Sequence, residues 1–198
     1  MSQKPRAFLF RHPDFGLFWA GMFAVNTAVQ IEAVTIGWQI YTIGRETLSI
    51  KESAFLVGMV GLAQFLPLFA LTLWAGSLAD RHSRRAIVLA ALAVETVCVL
   101  GLVGVALEDS PQVSHIFAIA ALFGAARAFL SPASSALVPM LVPKADMPQA
   151  ISLKSLSWQA AVIVGPWLGG LLCAISTAAA YATTAVLYAA GIGILLLM

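Results

Sequence analysis

Three ionisable side chains stand near the middle of long apolar stretches: Glu32, Glu95 and Arg127. A charge at the centre of a bilayer costs about 2.5 to 3.5 kcal/mol, so such residues normally face an interior cavity or one another. An acid in that setting can take up a proton, and an acid and a base can neutralise each other. We therefore expect a proton or substrate site, most strongly for Glu32 and Arg127. The alternative is a buried ion pair that only fixes helix register.

Side-chain amides and cysteines are the other candidates for chemistry. Asn26 and Gln30 are four residues apart and share one helical face, and Gln64 lies in the next apolar stretch. They could line a substrate cavity, although hydrogen bonds between helices explain them equally well. Cys98 and Cys173 lie in apolar runs and are predicted to be small core residues. No spacing is typical of a catalytic centre or a metal site, so we expect neither an enzyme nor a bound metal or cofactor.

The composition places these residues in a membrane. Hydrophobic residues make up 61% of the chain and charged residues only 10%, with a mean hydropathy of +0.93, whereas soluble domains carry about 25% charged residues. Spans of about 20 apolar residues must be helical in lipid. Six are predicted, with prolines between residues 139 and 149 ending the fourth and only Ser176-Thr177 separating the last two. The predicted spans are residues 15–43, 54–78, 86–107, 115–137, 150–174 and 178–198.

The basic residues predict the orientation of the spans. Alternate loops collect eight lysines and arginines on one side, while the other side holds only Arg45 and Lys51. Because basic residues are retained in the cytoplasm, both termini are predicted to be cytoplasmic. The eight are Lys4, Arg6, Arg11, Arg81, Arg84, Arg85, Lys144 and Lys154.

The loop between the second and third spans carries the most specific motif. Residues 76–85 read Gly-Ser-Leu-Ala-Asp-Arg-His-Ser-Arg-Arg. They resemble the loop of the major facilitator superfamily, Gly-x-Leu-Ala-Asp-Arg-x-Gly-Arg-Arg/Lys, at every position except that of Ser83. The resemblance implies that Asp80 latches one state of a transporter against a helix start, held by neighbouring arginines. Its matching residues are Gly76, Leu78, Asp80, Arg81, Arg84 and Arg85.

A second motif lies in the fifth span, where residues 165–170 read Gly-Pro-Trp-Leu-Gly-Gly. The proline predicts a bent helix, and the glycines permit close packing. The string resembles the superfamily's antiporter signature, Gly-x-x-x-Gly-Pro-x-x-Gly-Gly, with Ala161 at the first glycine. The matching residues are Gly165, Pro166, Gly169 and Gly170. This motif is associated with exporters, and segments 61–67, 131–133 and 138–146 resemble the drug and siderophore efflux branch.

The resemblance implies a fold and a function. The expected fold is an all-α membrane bundle of two inverted three-helix repeats over residues 15–198, preceded by a cytoplasmic segment over residues 1–14. The expected function is proton-driven efflux of an amphipathic small molecule across a bacterial inner membrane, without a cofactor. A carboxy-terminal six-helix half or a second chain would complete the cavity. The alternative is a truncated, non-transporting product or a membrane scaffold.

Overall fold

The described chain consists of seven α-helices and one 3-10 turn. The computed structural model describes the backbone of residues 5–81 and 83–198 and the side chains of residues 8–76 and 83–198. Helices α2 to α7 are each long and apolar enough to cross a bilayer, which confirms the all-α membrane fold. The helices are α1 (Pro5–Arg11), α2 (Pro13–Thr47), α3 (Ile50–Arg81), α4 (Arg84–Ala106), α5 (Val113–Leu141), α6 (Met147–Ile175) and α7 (Thr177–Leu196), with the 3-10 turn at Lys144–Asp146.

All six predicted spans are confirmed, with ends that differ by at most four residues. The boundary between the last two spans falls at Ser176, as predicted. This residue ends α6 in an extended conformation, and its side chain accepts a hydrogen bond from the Ala179 amide at 2.9 Å to start α7. A serine at that position satisfies an amide that the helix leaves unpaired.

The prolines of the fourth span do not end its helix where the sequence predicted. Helix α5 passes through both Pro132 and Pro139 and ends only at Leu141. A proline in a membrane helix is tolerated when other groups satisfy the carbonyl that it leaves free.

The helix packing has the symmetry of a repeated three-helix unit. The five most extensive helix pairs are α3 with α5, α2 with α6, α2 with α7, α4 with α5, and α4 with α7. If α2 is exchanged with α5, α3 with α6 and α4 with α7, the same five helix pairs result. Because each unit has an odd number of helices, the second unit must enter from the opposite side. The packing therefore agrees with two inverted repeats.

Two contacts join the repeats closely. At Gly124 of α5, an added Cβ would overlap the Gln64 backbone of α3, so only glycine permits this approach. At the end of the bundle that carries Arg84, Arg85 and Lys144, here called the basic end, the His12 ring nitrogen Nε2 lies 2.9 Å from Asp146 Oδ2. The first contact brings α3 and α5 together at mid-depth, where the candidate site lies.

Candidate functional site

Glu32 and Arg127 form a two-point ion pair inside the bundle. Nη2 of Arg127 on α5 lies 3.1 Å from Oε1 and 3.0 Å from Oε2 of Glu32 on α2. The Glu32 side chain is completely buried, while that of Arg127 keeps 18% of its surface exposed. The structure therefore places the two strongest candidates together and leaves only the cation in contact with the cavity.

Glu95 of α4 joins the same cluster without a hydrogen bond. Its Oε1 lies 3.5 Å from Nε of Arg127, and its side chain is completely buried. Neither carboxylate oxygen has a hydrogen-bond partner among the described residues, and neither does Nε of Arg127. We call Glu32, Arg127 and Glu95 the charge cluster. It contains two acids without exposed surface and one base that is partly exposed.

Three neighbours orient the charge cluster. The Tyr188 hydroxyl of α7 donates to Oε2 of Glu32 at 2.9 Å. Nη1 of Arg127 donates to Oε1 of Gln64 at 3.3 Å, and its guanidinium lies 5.4 Å from the centre of the Phe123 ring. Five of the six spanning helices thus contribute to the cluster or its support, so its geometry depends on the whole bundle.

A cavity of about 330 Å³ opens beside the charge cluster. Arg127 forms part of its wall, and α2, α3, α5 and α6 supply the rest. Asn26 lines this cavity, which was one of the two alternatives for the amides. Gln30 lies against Gly165 of α6 instead, where it fills the helix interface. The structure therefore separates two amides that share one face of α2.

The glycine motif of α6 serves the α2 interface. An added Cβ at Gly165 would overlap Gln30, and at Gly169 it would lie 3.2 Å from Val34 Cβ and 3.3 Å from Ile31 Cα. Pro166 lies inside α6, as expected. Gly170 has open space beside it, so this packing does not require it.

The charged loop is described only in part. The side chains of Leu78, Asp80 and Arg81 lie outside the described residues, so the latch remains a prediction. An added Cβ at Gly76 would meet no atom within 4 Å. Nη1 of Arg84 lies 3.3 Å from the sulfur of Met140, and Nη2 of Arg85 donates to the Leu196 carbonyl at 2.9 Å. A cation is favourable at the carboxy-terminal end of a helix, as Arg85 is here.

Sequence reasoning missed three polar residues near the site. Tyr188 was passed over as part of an apolar helix, although a hydroxyl in such a run signals a buried partner. Lys154 was counted only among the basic residues of one side, although the predicted fifth span includes it; in the structure it lies on α6 and lines the cavity together with Ser157. Trp19 was not among the candidates; its Nε1 donates to the Leu153 carbonyl of α6 at 2.8 Å.

The two cysteines differ in their surroundings. Cys98 is buried in the core, as predicted. Cys173 is only half-buried, and its sulfur lies 3.6 Å from the Thr35 hydroxyl across the α2–α6 interface. This contact lies in the same interface where Gly165 and Gly169 let α2 and α6 approach closely.

The comparisons with known proteins agree with this architecture. Residues 7–198 match the family described as transmembrane secretion effector. The chain belongs to this family of the major facilitator superfamily. This membership confirms the resemblance on which the sequence-based fold and transport expectations rested.

A similar protein is the Staphyloferrin A transporter of Staphylococcus aureus (strain NCTC 8325 / PS 47). The two are 28% identical over 133 residues, which cover 65% of this chain and 32% of that transporter. The matched part of the chain thus spans about a third of the relative's length.

Proposed function

We propose that this chain is the amino-terminal six-helix bundle of a proton-coupled exporter of amphipathic small molecules. In this proposal the charge cluster carries the coupling proton. Membership in a transporter superfamily and the antiporter-type motif in α6 support transport and its outward direction. The similarity to a protein named for staphyloferrin A supports a siderophore-like substrate.

The observation that carries the proposal is the unequal hydrogen bonding of the two acids. Glu32 accepts two bonds from Arg127 and one from Tyr188, which stabilises its ionised form. Glu95 has no exposed surface and accepts no well-aligned hydrogen bond among the described residues, with Nε of Arg127 at 3.5 Å from its Oε1. With both acids ionised the cluster has one excess negative charge, because only Arg127 offsets them. An uncompensated buried charge costs several kcal/mol, and one proton on Glu95 removes it.

Arg127 connects the proton site to the substrate. It holds Glu32 and Glu95 on one side and forms part of the cavity wall on the other. A ligand that attracts the guanidinium would weaken its contact with the acids and change the affinity of Glu95 for a proton. This coupling between proton and substrate needs no further residues, because Arg127 contacts both the acids and the cavity.

The outer faces of α3 and α6 suit a second six-helix bundle. These helices are the least buried of the six. Their exposed surfaces include Phe69 and Leu73 on α3 and Ile163 and Trp167 on α6, each at least 67% exposed. In the membrane of a bacterial cell, with the basic end in the cytoplasm, the second bundle would close the cavity. Asp80 would then face it as the latch.

Transport in everted membrane vesicles tests the role of Glu95. The complete reading frame is expressed, and uptake of amphipathic dyes is followed by fluorescence after a pH gradient is imposed. We expect Glu95→Gln to lower gradient-driven uptake by at least about tenfold, because the neutral amide cannot exchange a proton. Glu95→Asp should retain part of the activity.

Glu108→Gln is the matched control, because Glu108 is an exposed acid outside the helices. It should transport like the wild type. Full activity in Glu95→Gln would reject the role of Glu95. A wild-type protein that inserts but moves no dye of the panel would contradict the exporter function and favour a scaffold.

A further inference from the structure

We propose that Lys154 and Ser157 of α6, together with Ser135 of α5, form an anion-binding subsite for the carboxylate of an aromatic, amphipathic ligand. The inference rests on the proposed transport function and deepens it by naming a substrate class. The three side chains belong to the wall of the 330 Å³ cavity. None of them is part of the charge cluster.

Lys154 is a cation without an acidic partner among the described side chains. Its Nζ donates one hydrogen bond, to the Ser135 hydroxyl at 2.9 Å. It lies seven residues past the start of α6 at Met147, about 10 Å into the helix. An ammonium group has three donors, so two remain for a ligand. The hydroxyl of Ser135 can also donate, since Lys154 uses only its acceptor side.

Ser157 supplies a second, independent indication of a ligand. Its residue is only 2% exposed, and its hydroxyl oxygen has no hydrogen-bond partner among the described residues. Leaving a buried hydroxyl unpaired is unfavourable, and an acceptor oxygen in the cavity would remove that cost. Ser157 follows Lys154 by three residues on the same helix, so both side chains project to one face. The two oxygens of a carboxylate match this pair.

The charges that face the cavity favour a ligand with a negative charge. Among the described residues, its lining includes two cations, Lys154 and Arg127, and no carboxylate. Glu32 and Glu95 contact Arg127 and offset its charge, but they have no exposed surface and do not line the cavity. The charge of Lys154 is left for the ligand. A cationic ligand would meet this charge without an acid to bind it.

The other residues that line the cavity favour a ligand with an aromatic ring. Trp19 and Phe18 of α2 and Trp158 of α6 border the same cavity. Flat rings and apolar area next to a few polar groups are typical of sites for small organic molecules, and about 330 Å³ lies within their usual size range. The ligand class is therefore an aromatic monocarboxylate or a larger molecule that carries such a group.

Binding of matched pyrene compounds tests the subsite without any gradient. The full chain is placed in nanodiscs of zwitterionic phosphatidylcholine, and energy transfer from tryptophan to 1-pyrenebutyrate, 1-pyrenebutanol or 1-pyrenebutylamine is titrated against empty nanodiscs. We expect the carboxylate to bind about tenfold more tightly than the alcohol. Lys154→Gln should abolish this preference, Lys154→Arg should keep it, and Ser157→Ala should reduce it by a few fold.

Lys144→Gln is the matched control, since Lys144 is an exposed lysine at the same end of the bundle and does not line the cavity. It should keep the preference of the wild type. Equal preference in the wild type and Lys154→Gln, or tighter binding of the amine, would overturn the proposal.

A second arm separates a substrate carboxylate from a lipid phosphate, which offers the same anionic chemistry. If adding phosphatidylglycerol to the nanodiscs removes the difference between the wild type and Lys154→Gln, Lys154 is a lipid contact and the proposal fails. A persistent difference supports it. Loss of gradient-driven transport with intact carboxylate preference would reject the proposed function alone, so the two failures are distinguishable.

Discussion

Removing the guanidinium of Arg127 should destabilise the whole bundle. The side chain makes two hydrogen bonds to Glu32 and one to Gln64, and it is the cation nearest to Glu95. Breaking a buried ion pair by deleting one partner costs about 3 to 5 kcal/mol, because the other charge stays buried. For a chain of this size, 1 kcal/mol shifts the melting temperature by about 2 to 4 °C. Arg127→Gln should therefore lower Tm by roughly 6 to 20 °C.

The two acids should respond unequally to the same substitution. Glu32→Gln disturbs the hydrogen bonds from both Arg127 and Tyr188, so we expect a loss of about 3 to 5 kcal/mol. Glu95→Gln breaks no hydrogen bond and leaves one acid opposite one base. Its effect should be below about 1 kcal/mol.

Thermal unfolding in detergent, followed by tryptophan fluorescence, measures all three variants. Arg45→Gln serves as the control, because Arg45 is exposed and donates only to the Leu48 carbonyl at 2.7 Å among the contacts described. It should lie within about 2 °C of the wild type. A similarly small shift for Arg127→Gln, or equal losses for the Glu32 and Glu95 variants, would refute the reasoning.

Three further predictions test packing, hydrogen bonding and topology. Gly165→Ala should destabilise the bundle by about 1 to 3 kcal/mol in the same melting assay because its Cβ overlaps α2, whereas Gly170→Ala should not; equal effects would contradict the packing. Tyr188→Phe should cost about 1.5 to 3 kcal/mol through the lost bond to a carboxylate, and a wild-type Tm would contradict it. A membrane-impermeant maleimide should label Glu108→Cys but not Lys144→Cys in intact cells; the reverse pattern would invert the topology.

The spanning helices could be predicted from the sequence because the bilayer imposes a length and a composition on each of them. Hydropathy predicted the positions of all six spanning helices, and the polar Ser176 indicated the boundary between the last two in an otherwise apolar stretch. Helix ends near prolines could not be placed as well. Whether Pro139 ends α5 or lies within it depends on which groups satisfy the freed carbonyl, and that is a tertiary contact.

The candidate site was predictable in its members but not in its arrangement. Charges in apolar runs identified Glu32, Glu95 and Arg127 individually. Their unequal contacts were not predictable, since a helix that is apolar all round has no preferred inward face. Lys154 illustrates the same point: the predicted fifth span includes it, but only the helix packing shows that its side chain lines the cavity.

By itself, the sequence determined that the chain lies in a membrane, how many helices cross it, and which loops carry basic charge. These are local properties, because the cost of transferring each residue into lipid adds along the chain. Only the tertiary structure decided that one arginine contacts two acids, that one of those acids lacks a hydrogen bond among the described residues, and that a lysine and a serine line the same cavity. Such pairings depend on how distant helices rotate against one another, and that rotation follows from side-chain packing over the whole bundle.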